Sequence, residues 1–342
     1  MAEITKNMPD CRAFHKKSFL ITGAGGLIGS TLVDTLLDSH EDITVYAAGR
    51  SRDKLEKRFA AHRGNEYLKL LEGDVARDDI LVDTPVDYIV HAASPAHPLA
   101  YSKTPVDVMQ ANLLGTMRML ELARHSGACL LFISSGEIYG ISSEPDAAFT
   151  EKEQGYIDIL NPRSCYPESK RAAETLCASY HQQYGVDARV ARLCHVYGPA
   201  ITANNSRMDA QFLRCVLEQR DIVMKSPGVQ VRSFCYVKDA ASGLLRVLEK
   251  GAAGEAYNVA NRNSIASIRE YAETLAQTGG VGILRDFPPE EEQKGYSLVT
   301  RAVLDASKLE SLGWEPVYDI ARGLEETYRL SKEMQQVERK DI

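Results

Sequence analysis

SFLITGAGGLIG, residues 18–29, places a short apolar run directly before a glycine-rich turn. Ser18–Thr22 reads as a buried strand, and the apolar-periodic stretch to about Leu37 reads as the helix that follows it. Between them Gly23, Gly26 and Gly29 stand in GxxGxxG spacing. Glycine permits a tight turn and close backbone approach to a pyrophosphate, whose negative charge the helix N-terminus faces. Gly23, Gly26, Leu27, Ile28 and Gly29 are therefore candidate contacts of a dinucleotide cofactor.

Outward from this unit the pattern repeats. Ile43–Ala48, Tyr67–Glu72, Tyr88–His91 and Leu130–Ser134 read as further strands, with a helix from about Val106 to His125 before the last. A second long helix is expected from about Ser169 to Tyr184, ended by Gly185, with a strand over Val186–Arg192 after it. Strands alternating with helices argue for an α/β fold, a Rossmann-type doubly wound parallel sheet whose ligands collect at the carboxyl ends of the strands. Pro199–Val231 breaks the rhythm with a polar loop, Thr202–Arg207, and a helix around Gln211–Gln219; Phe287–Gly295 reads as a charged loop. The expected division is a dinucleotide domain over 18–198 and a smaller C-terminal substrate-binding lobe over 199–330, with an interleaved boundary. Residues 1–17 read as a mobile N-terminal extension.

The chain has 342 residues, 44% of them hydrophobic, and a net charge of -7. A sizeable core is affordable, whereas nucleic acid and anionic lipid are not expected partners. An anionic substrate must then be held by a few placed arginines. The seven cysteines lack CxxC spacing, so neither a disulfide framework nor a metal site is expected. They read as reduced thiols of a cytoplasmic protein. No apolar run reaches the ~20 residues of a membrane helix.

The second strand ends Ala47-Ala48-Gly49-Arg50, without the carboxylate that binds a ribose 2′-hydroxyl and repels a 2′-phosphate. Arg50 can fork onto such a phosphate, so of NAD and NADP the reading favours NADP. Tyr166 and Lys170 stand in YxxxK spacing at a helix start, hence on one helix face. A nearby ammonium favours the phenolate and makes the tyrosine a usable general base or acid. Lys170 also suits a nicotinamide ribose, and Ser135, at a strand end, suits the substrate oxygen that Tyr166 serves.

These segments, in order, resemble the extended short-chain dehydrogenases/reductases, the NAD-dependent epimerase/dehydratase family of nucleotide-sugar enzymes. The resemblance rests on Thr22–Gly29, Gly73–Val75, His91–Ala93, Asn112 with Gly115-Thr116, Ser134–Gly140, Tyr166–Lys170, Val196–Pro199, Arg232–Asp239, Tyr257–Asn261 and Leu312–Pro316. It implies that Asp74 and Val75 line the adenine pocket, that Ala92 and Ala93 also meet the cofactor, and that Asn112 supports the lysine side. It implies that Arg232, with Arg301 a further candidate, contacts a nucleotide diphosphate, and that two copies pair through the two long helices as a homodimer.

Within the family the chain looks most like UDP-glucuronate decarboxylases. Ala93–Tyr101 is similar to their substrate loop, implicating Ser94 and Tyr101, and Asn205–Arg207 with Arg232 is similar to their nucleotide site. Glu137 is the acid that decarboxylases and 4,6-dehydratases share and that 4-epimerases often lack. Dehydratases carry an aspartic acid beside it, where this chain has Gly136. Decarboxylases generally carry a hydroxyl residue there, and an asparagine where His195 stands. A histidine can also hold the diphosphate, with a pH dependence. Transient oxidation at C4 of a nucleotide sugar followed by loss of CO2 is thus the leading expectation. Epimerisation, dehydration, net NADPH-dependent ketone reduction and non-enzymatic cofactor sensing are the alternatives.

Overall fold

A computed structural model of the protein describes residues 10–338 apart from 81, 145, 201–204 and 288–298. Seven strands form one parallel sheet: β1 (Ser18–Thr22), β2 (Thr44–Gly49), β3 (Leu68–Glu72), β4 (Tyr88–His91), β5 (Cys129–Ser135), β6 (Ala188–Leu193) and β10 (Ala256–Val259). Their order is β10-β6-β5-β4-β1-β2-β3. The order reverses between β1 and β4, and a crevice opens there at the carboxyl ends. Helices cover both faces, so strand residues such as Phe19, Leu20, Ile89, Val90, Leu130 and Leu131 are fully buried. A sheet buried on both faces needs continuous apolar runs, which is why these segments stood out.

The second sheet is smaller. In it β9 (Val231–Tyr236) lies between β11 (Ile265–Ser267) and β13 (Arg301–Ala302) and also pairs with β7 (His195–Tyr197). β8 (Ile222–Met224) and β12 (Ile283–Arg285) form a separate pair. β7 leaves the large sheet one residue after β6, and β10 returns to it late in the chain, so the two parts interleave.

Two long helices pack against β5. One runs Pro105–Ser126, with proline in its first turn and Gly127 in left-handed conformation at its end. The other runs Cys165–Tyr184 and is also ended by a left-handed glycine, Gly185. It starts earlier than expected because Pro167 sits in the first turn, where no intrahelical N–H bond is lost. The following strand starts at Ala188 rather than Val186 because the glycine reversal consumes the intervening residues. The two helices lie against each other, joined by Tyr180 donating to Glu121 (2.6 Å) and Asn112 donating to Ser169 (2.8 Å).

The described part of the N-terminal extension is not a mobile lead-in. Phe14 is buried edge-on against Phe19 and Tyr88, at ring distances of 5.3 and 5.2 Å. The helix expected around Gln211–Gln219 runs Met208–Leu217. The first residues of the expected Thr202–Arg207 loop, 202–204, and most of Phe287–Gly295 lie outside the described residues.

Candidate active site

The glycine turn is built as its spacing required. Gly23 has φ +67, and a Cβ there would lie 2.8 Å from the backbone of Ala92 and Ala93; one on Gly29 would lie 2.4 Å from the Gly23 carbonyl oxygen. Gly26 caps the Leu27–Asp38 helix without a side chain. The first-turn N–H groups of Leu27 and Ile28 therefore have no helical carbonyl to bond and are suited to an anion. Beside the turn lies a cleft of about 240 Å³ lined by Gly23, Gly49, Arg50, Asp74, Val75, Ala93 and Ser94 among others. The cradle of close glycine contacts fits a dinucleotide. Asp74 also closes its own turn, its Oδ1 accepting from the Ala76 N–H at 2.9 Å. Ser94, expected on the sugar side and three residues past the end of β4, is among the residues that line this cleft, and its hydroxyl is buried with no hydrogen-bond partner among the described residues.

At the adenosine end Arg50 is joined by Arg77, which the sequence reading passed over. Both are exposed. Neither side chain makes a hydrogen bond or ion pair among the described residues, whereas the nearby Arg118 is spent on the carbonyls of Ala76 and Arg77.

Ser135, Tyr166 and Lys170, the residues expected to carry the proton transfer, converge at the end of β5. Ser135 caps the turn Gly136–Tyr139, its hydroxyl accepting from the Glu137 N–H at 3.1 Å. Tyr166 is buried beneath it. Burial, then the Glu137 charge, push the phenol up to about 12, while the Ser135 hydroxyl, Arg207 and Arg163 oppose this. Lys170, on the same helix face, donates to the Ile133 carbonyl at 2.6 Å and stands 4.5 Å from the Phe132 ring and 5.8 Å from that of Tyr166. Burial lowers its ammonium to about 7, against the pull of Glu174 one turn on. Glu174 accepts from Ser134 (2.5 Å) and from Arg192 (2.7 Å), so a part-buried ion pair braces the strand end behind the site.

Further support lies on the cofactor side. His91 is held by a 2.8 Å hydrogen bond between its Nδ1 and the Thr22 hydroxyl, and burial pushes it down to about 3. The Asn112 Oδ1 is buried with no protein partner among the described residues, one helix away from Lys170.

Toward the smaller sheet the structure assembles a cationic cluster. His195 pairs in register with Phe234, packs edge-on against it at 5.8 Å, and shares its sheet face with Arg232, two residues along β9. Arg207 reaches the same region, fixed by Asp209 (3.0 Å) and the Val196 carbonyl (2.9 Å). Burial and then these two arginines push His195 down to about 3. Held in this way, the imidazole is uncharged near neutrality in the free protein. Arg301 does not join the cluster. β13 pairs Arg301 with Val231 and Ala302 with Arg232, which puts Arg301 on the opposite face from Arg232.

Two features here were not visible beforehand. Arg163 donates to Glu137 at 2.9 Å and lies 4.5 Å above the Tyr101 ring, which is stacked on Tyr166 at 4.8 Å. A Cβ on Gly136 would meet the methyls of Leu304 at 3.1 and 3.2 Å, so the side where a dehydratase acid would project is filled by an apolar chain. The signal for Arg163 was its place three residues before the tyrosine, opposite an acid in need of a counter-charge.

Residues 19–260 match the model of the NAD dependent epimerase/dehydratase family. The chain is 34% identical over 323 residues to UDP-glucuronic acid decarboxylase 5 of Arabidopsis thaliana, covering 91% of this chain and 89% of that one. It superposes on dTDP-glucose 4,6-dehydratase DesIV of Streptomyces venezuelae, solved with NAD and TYD bound, with a TM-score of 0.79 at 26% identity, covering 94% and 98% of the two chains. The fold also matches epimerase Mth375 of Methanothermobacter thermautotrophicus, with a TM-score of 0.82 at 22% identity and 98% of both chains covered.

Proposed function

From the premise that this chain belongs to the NAD dependent epimerase/dehydratase family, we propose that it removes CO2 from a nucleotide-linked uronic acid, UDP-glucuronate foremost, after transient oxidation at C4. The observation that carries this is the pairing of a complete Ser135, Tyr166 and Lys170 set and Glu137 with an apolar Leu304 wall at Gly136. Bound in the glycine cradle, the nicotinamide cofactor would supply a hydride acceptor and donor. Tyr166 takes the proton of the C4 hydroxyl, and Ser135 holds the same oxygen. Lys170 stabilises the phenolate and orients the ribose. Once C4 is a ketone, the C5 carboxylate belongs to a β-keto acid and departs as CO2 without an acid at position 136, its electron pair passing to the C4 oxygen as an enolate. C5 then takes up a proton from water, and return of the hydride to C4 with the Tyr166 proton to its oxygen restores the alcohol. His195, Arg207 and Arg232 suit the diphosphate, and Tyr101 walls the sugar side.

The family's cofactor is NAD, and the cradle fits it. The finer reading is NADP, supported by the two exposed arginines Arg50 and Arg77 that line the cleft and by the absence of an acid at the end of β2, where Arg50 stands. A homodimer through the Pro105–Ser126 and Cys165–Tyr184 helices is supported by exposed Val106, Met109, Leu114 and Met117 on the first. A cytoplasmic setting is supported by the seven free cysteines. No helix of the described residues is long and apolar enough to cross a membrane.

Product analysis by NMR and mass spectrometry tests the reading, with UDP-glucuronate, UDP-glucose, dTDP-glucose, GDP-mannose and CDP-glucose, each with NAD or NADP. Loss of CO2 from UDP-glucuronate supports it. Loss of water identifies a dehydratase, altered ring couplings at unchanged mass an epimerase, and stoichiometric NADPH consumption a reductase.

A further inference from the structure

Arg163 sits in the turn Pro162–Ser164, which Asn161 caps by accepting from the Arg163 N–H. Ser164 ties the turn to the Asp158 carbonyl at 2.6 Å. The guanidinium is thereby presented on top of a three-layer stack. It lies 4.5 Å from the Tyr101 ring, and Tyr101 lies 4.8 Å from Tyr166 with 22° between the ring planes. Its edge donates to the Glu137 carboxylate at 2.9 Å. Glu137 in turn belongs to the short turn that Ser135 caps. One side chain therefore touches both the acid and the stack that end on the catalytic phenol.

We infer that Arg163 is a positioning residue for proton transfer. It neutralises Glu137 beside Tyr166 and clamps Tyr101 onto the phenol ring, so that Tyr166 can lose its proton next to a carboxylate. This rests on the reading of Tyr166 as the proton acceptor but not on which nucleotide sugar is the substrate.

The charges facing the phenol define what the clamp must do. Glu137 disfavours the phenolate, while Arg163, Arg207 and the Ser135 hydroxyl favour it. Lys170 faces the ring from its own helix, and Tyr101 covers it from the other side. Arg232 also feels Glu137 but makes its hydrogen bonds to the Val231 and Val299 carbonyls. Arg163 is thus the cation in direct hydrogen-bond contact with the acid. Without it a carboxylate stands uncompensated near the group that must become an anion. Half-exposed charges interact through an effective dielectric well above that of a dry interior, so the expected displacement is about one pH unit.

The test is the pH profile of kcat/KM for wild type, Arg163→Met, Arg163→Lys and the Arg163→Met, Glu137→Gln double variant, on whichever nucleotide sugar the wild type converts. Arg163→Met moves the acid limb up by about one unit, a roughly tenfold loss at low pH. Its plateau stays within about threefold, since a clamp adds less than a proton acceptor. Arg163→Lys keeps the limb in place, and removing Glu137 as well returns the limb toward wild type. Melting curves show whether each variant is folded. A limb unmoved in folded Arg163→Met, or one that Glu137→Gln does not restore, overturns the inference and leaves the substrate reading intact. A wild type that converts no nucleotide sugar overturns both.

Discussion

The three glycines of the turn are not equivalent, and alanine at each separates folding from cofactor binding. At Gly23 a Cβ would meet the carbonyl carbon and oxygen of Ala92 and the Ala93 Cα at 2.8 Å, on a backbone with φ +67. Left-handed backbone costs a non-glycine residue about 1–2 kcal/mol. Overpacking against backbone that cannot rotate away adds about 1–3 kcal/mol. At Gly29 the clash is closer, 2.4 Å to the Gly23 carbonyl oxygen, but φ is helical and alanine regains about 1 kcal/mol of helix propensity. At Gly26 the nearest atom is the Gly23 carbonyl oxygen, 3.3 Å away, and φ is -84, so a tight contact and a poorer N-cap cost the fold about 1 kcal/mol at most, less than the change at Gly23. At roughly 2 °C per kcal/mol for a domain of this size, Gly23→Ala should melt several degrees low, Gly29→Ala less so, and Gly26→Ala near wild type. Binding should rank differently. A methyl on Gly26 stands where the helix N-terminus meets the pyrophosphate, so NADH titration followed by fluorescence should weaken tenfold or more, by about 1.4 kcal/mol at least. Gly26→Ala that melts as low as Gly23→Ala would refute the packing argument. Gly26→Ala that binds NADH like wild type would remove the pyrophosphate from this turn.

Four further outcomes follow from the site. Tyr166→Phe should lower turnover by roughly 10²–10⁴-fold while leaving cofactor affinity within a few-fold, measured by steady-state kinetics and titration. Arg50→Ala and Arg77→Ala should each weaken NADP by roughly tenfold and leave NAD unchanged, read from the two dissociation constants; equal losses would return both arginines to the solvent. Lys170 is held at about 7, far below its value in an unfolded chain, so the unfolded state binds the extra proton above pH 7 and stability should rise with pH until the unfolded amine itself titrates near 10.5. Urea midpoints at pH 7 and 9 in wild type and Lys170→Met check this, the variant giving the flatter dependence. Glu174→Gln keeps one acceptor oxygen but removes the charge and the second oxygen that face Arg192, and should cost about 1–3 kcal/mol of unfolding free energy in urea titrations.

What could be read ahead of the structure was local. β1, its glycines and the next helix lie within 21 consecutive residues, and each residue type there meets a requirement of its neighbours. Tyr166 and Lys170 needed only helical spacing. The missed or misplaced residues depend on partners distant in the chain. Arg163 and Glu137 are 26 residues apart, brought together because β5 and the Cys165–Tyr184 helix pack side by side. Arg301 was displaced by strand parity, decided by its pairing with Val231. The neutral state of His195 follows from burial between arginines of two other elements. Phe14 is one apolar residue in a polar extension, and only the ring pair Phe19 and Tyr88 makes a core position of it.

The same geometry bears on which product leaves. A C4 ketone opens three exits. Loss of water needs a base for the C5 proton and an acid for the departing hydroxyl. Glu137 would be that base, yet one of its oxygens is already occupied as acceptor of the Arg163 hydrogen bond. The acid would come from position 136, and there the structure has glycine backed by Leu304. Supplying it would take more than Gly136→Asp, because the new side chain starts against methyls at 3.1 Å. Inversion at C4 asks for neither group but requires the 4-ketone to turn over so that the hydride returns to its other face. Departure of CO2 from a β-keto acid needs no base, no leaving-group acid and no turning of the sugar, only a proton delivered afterwards to C5 of the enolate, which water can supply. It is the exit to which these side chains put up the least resistance, and this holds whether the bound dinucleotide carries a 2′-phosphate or not.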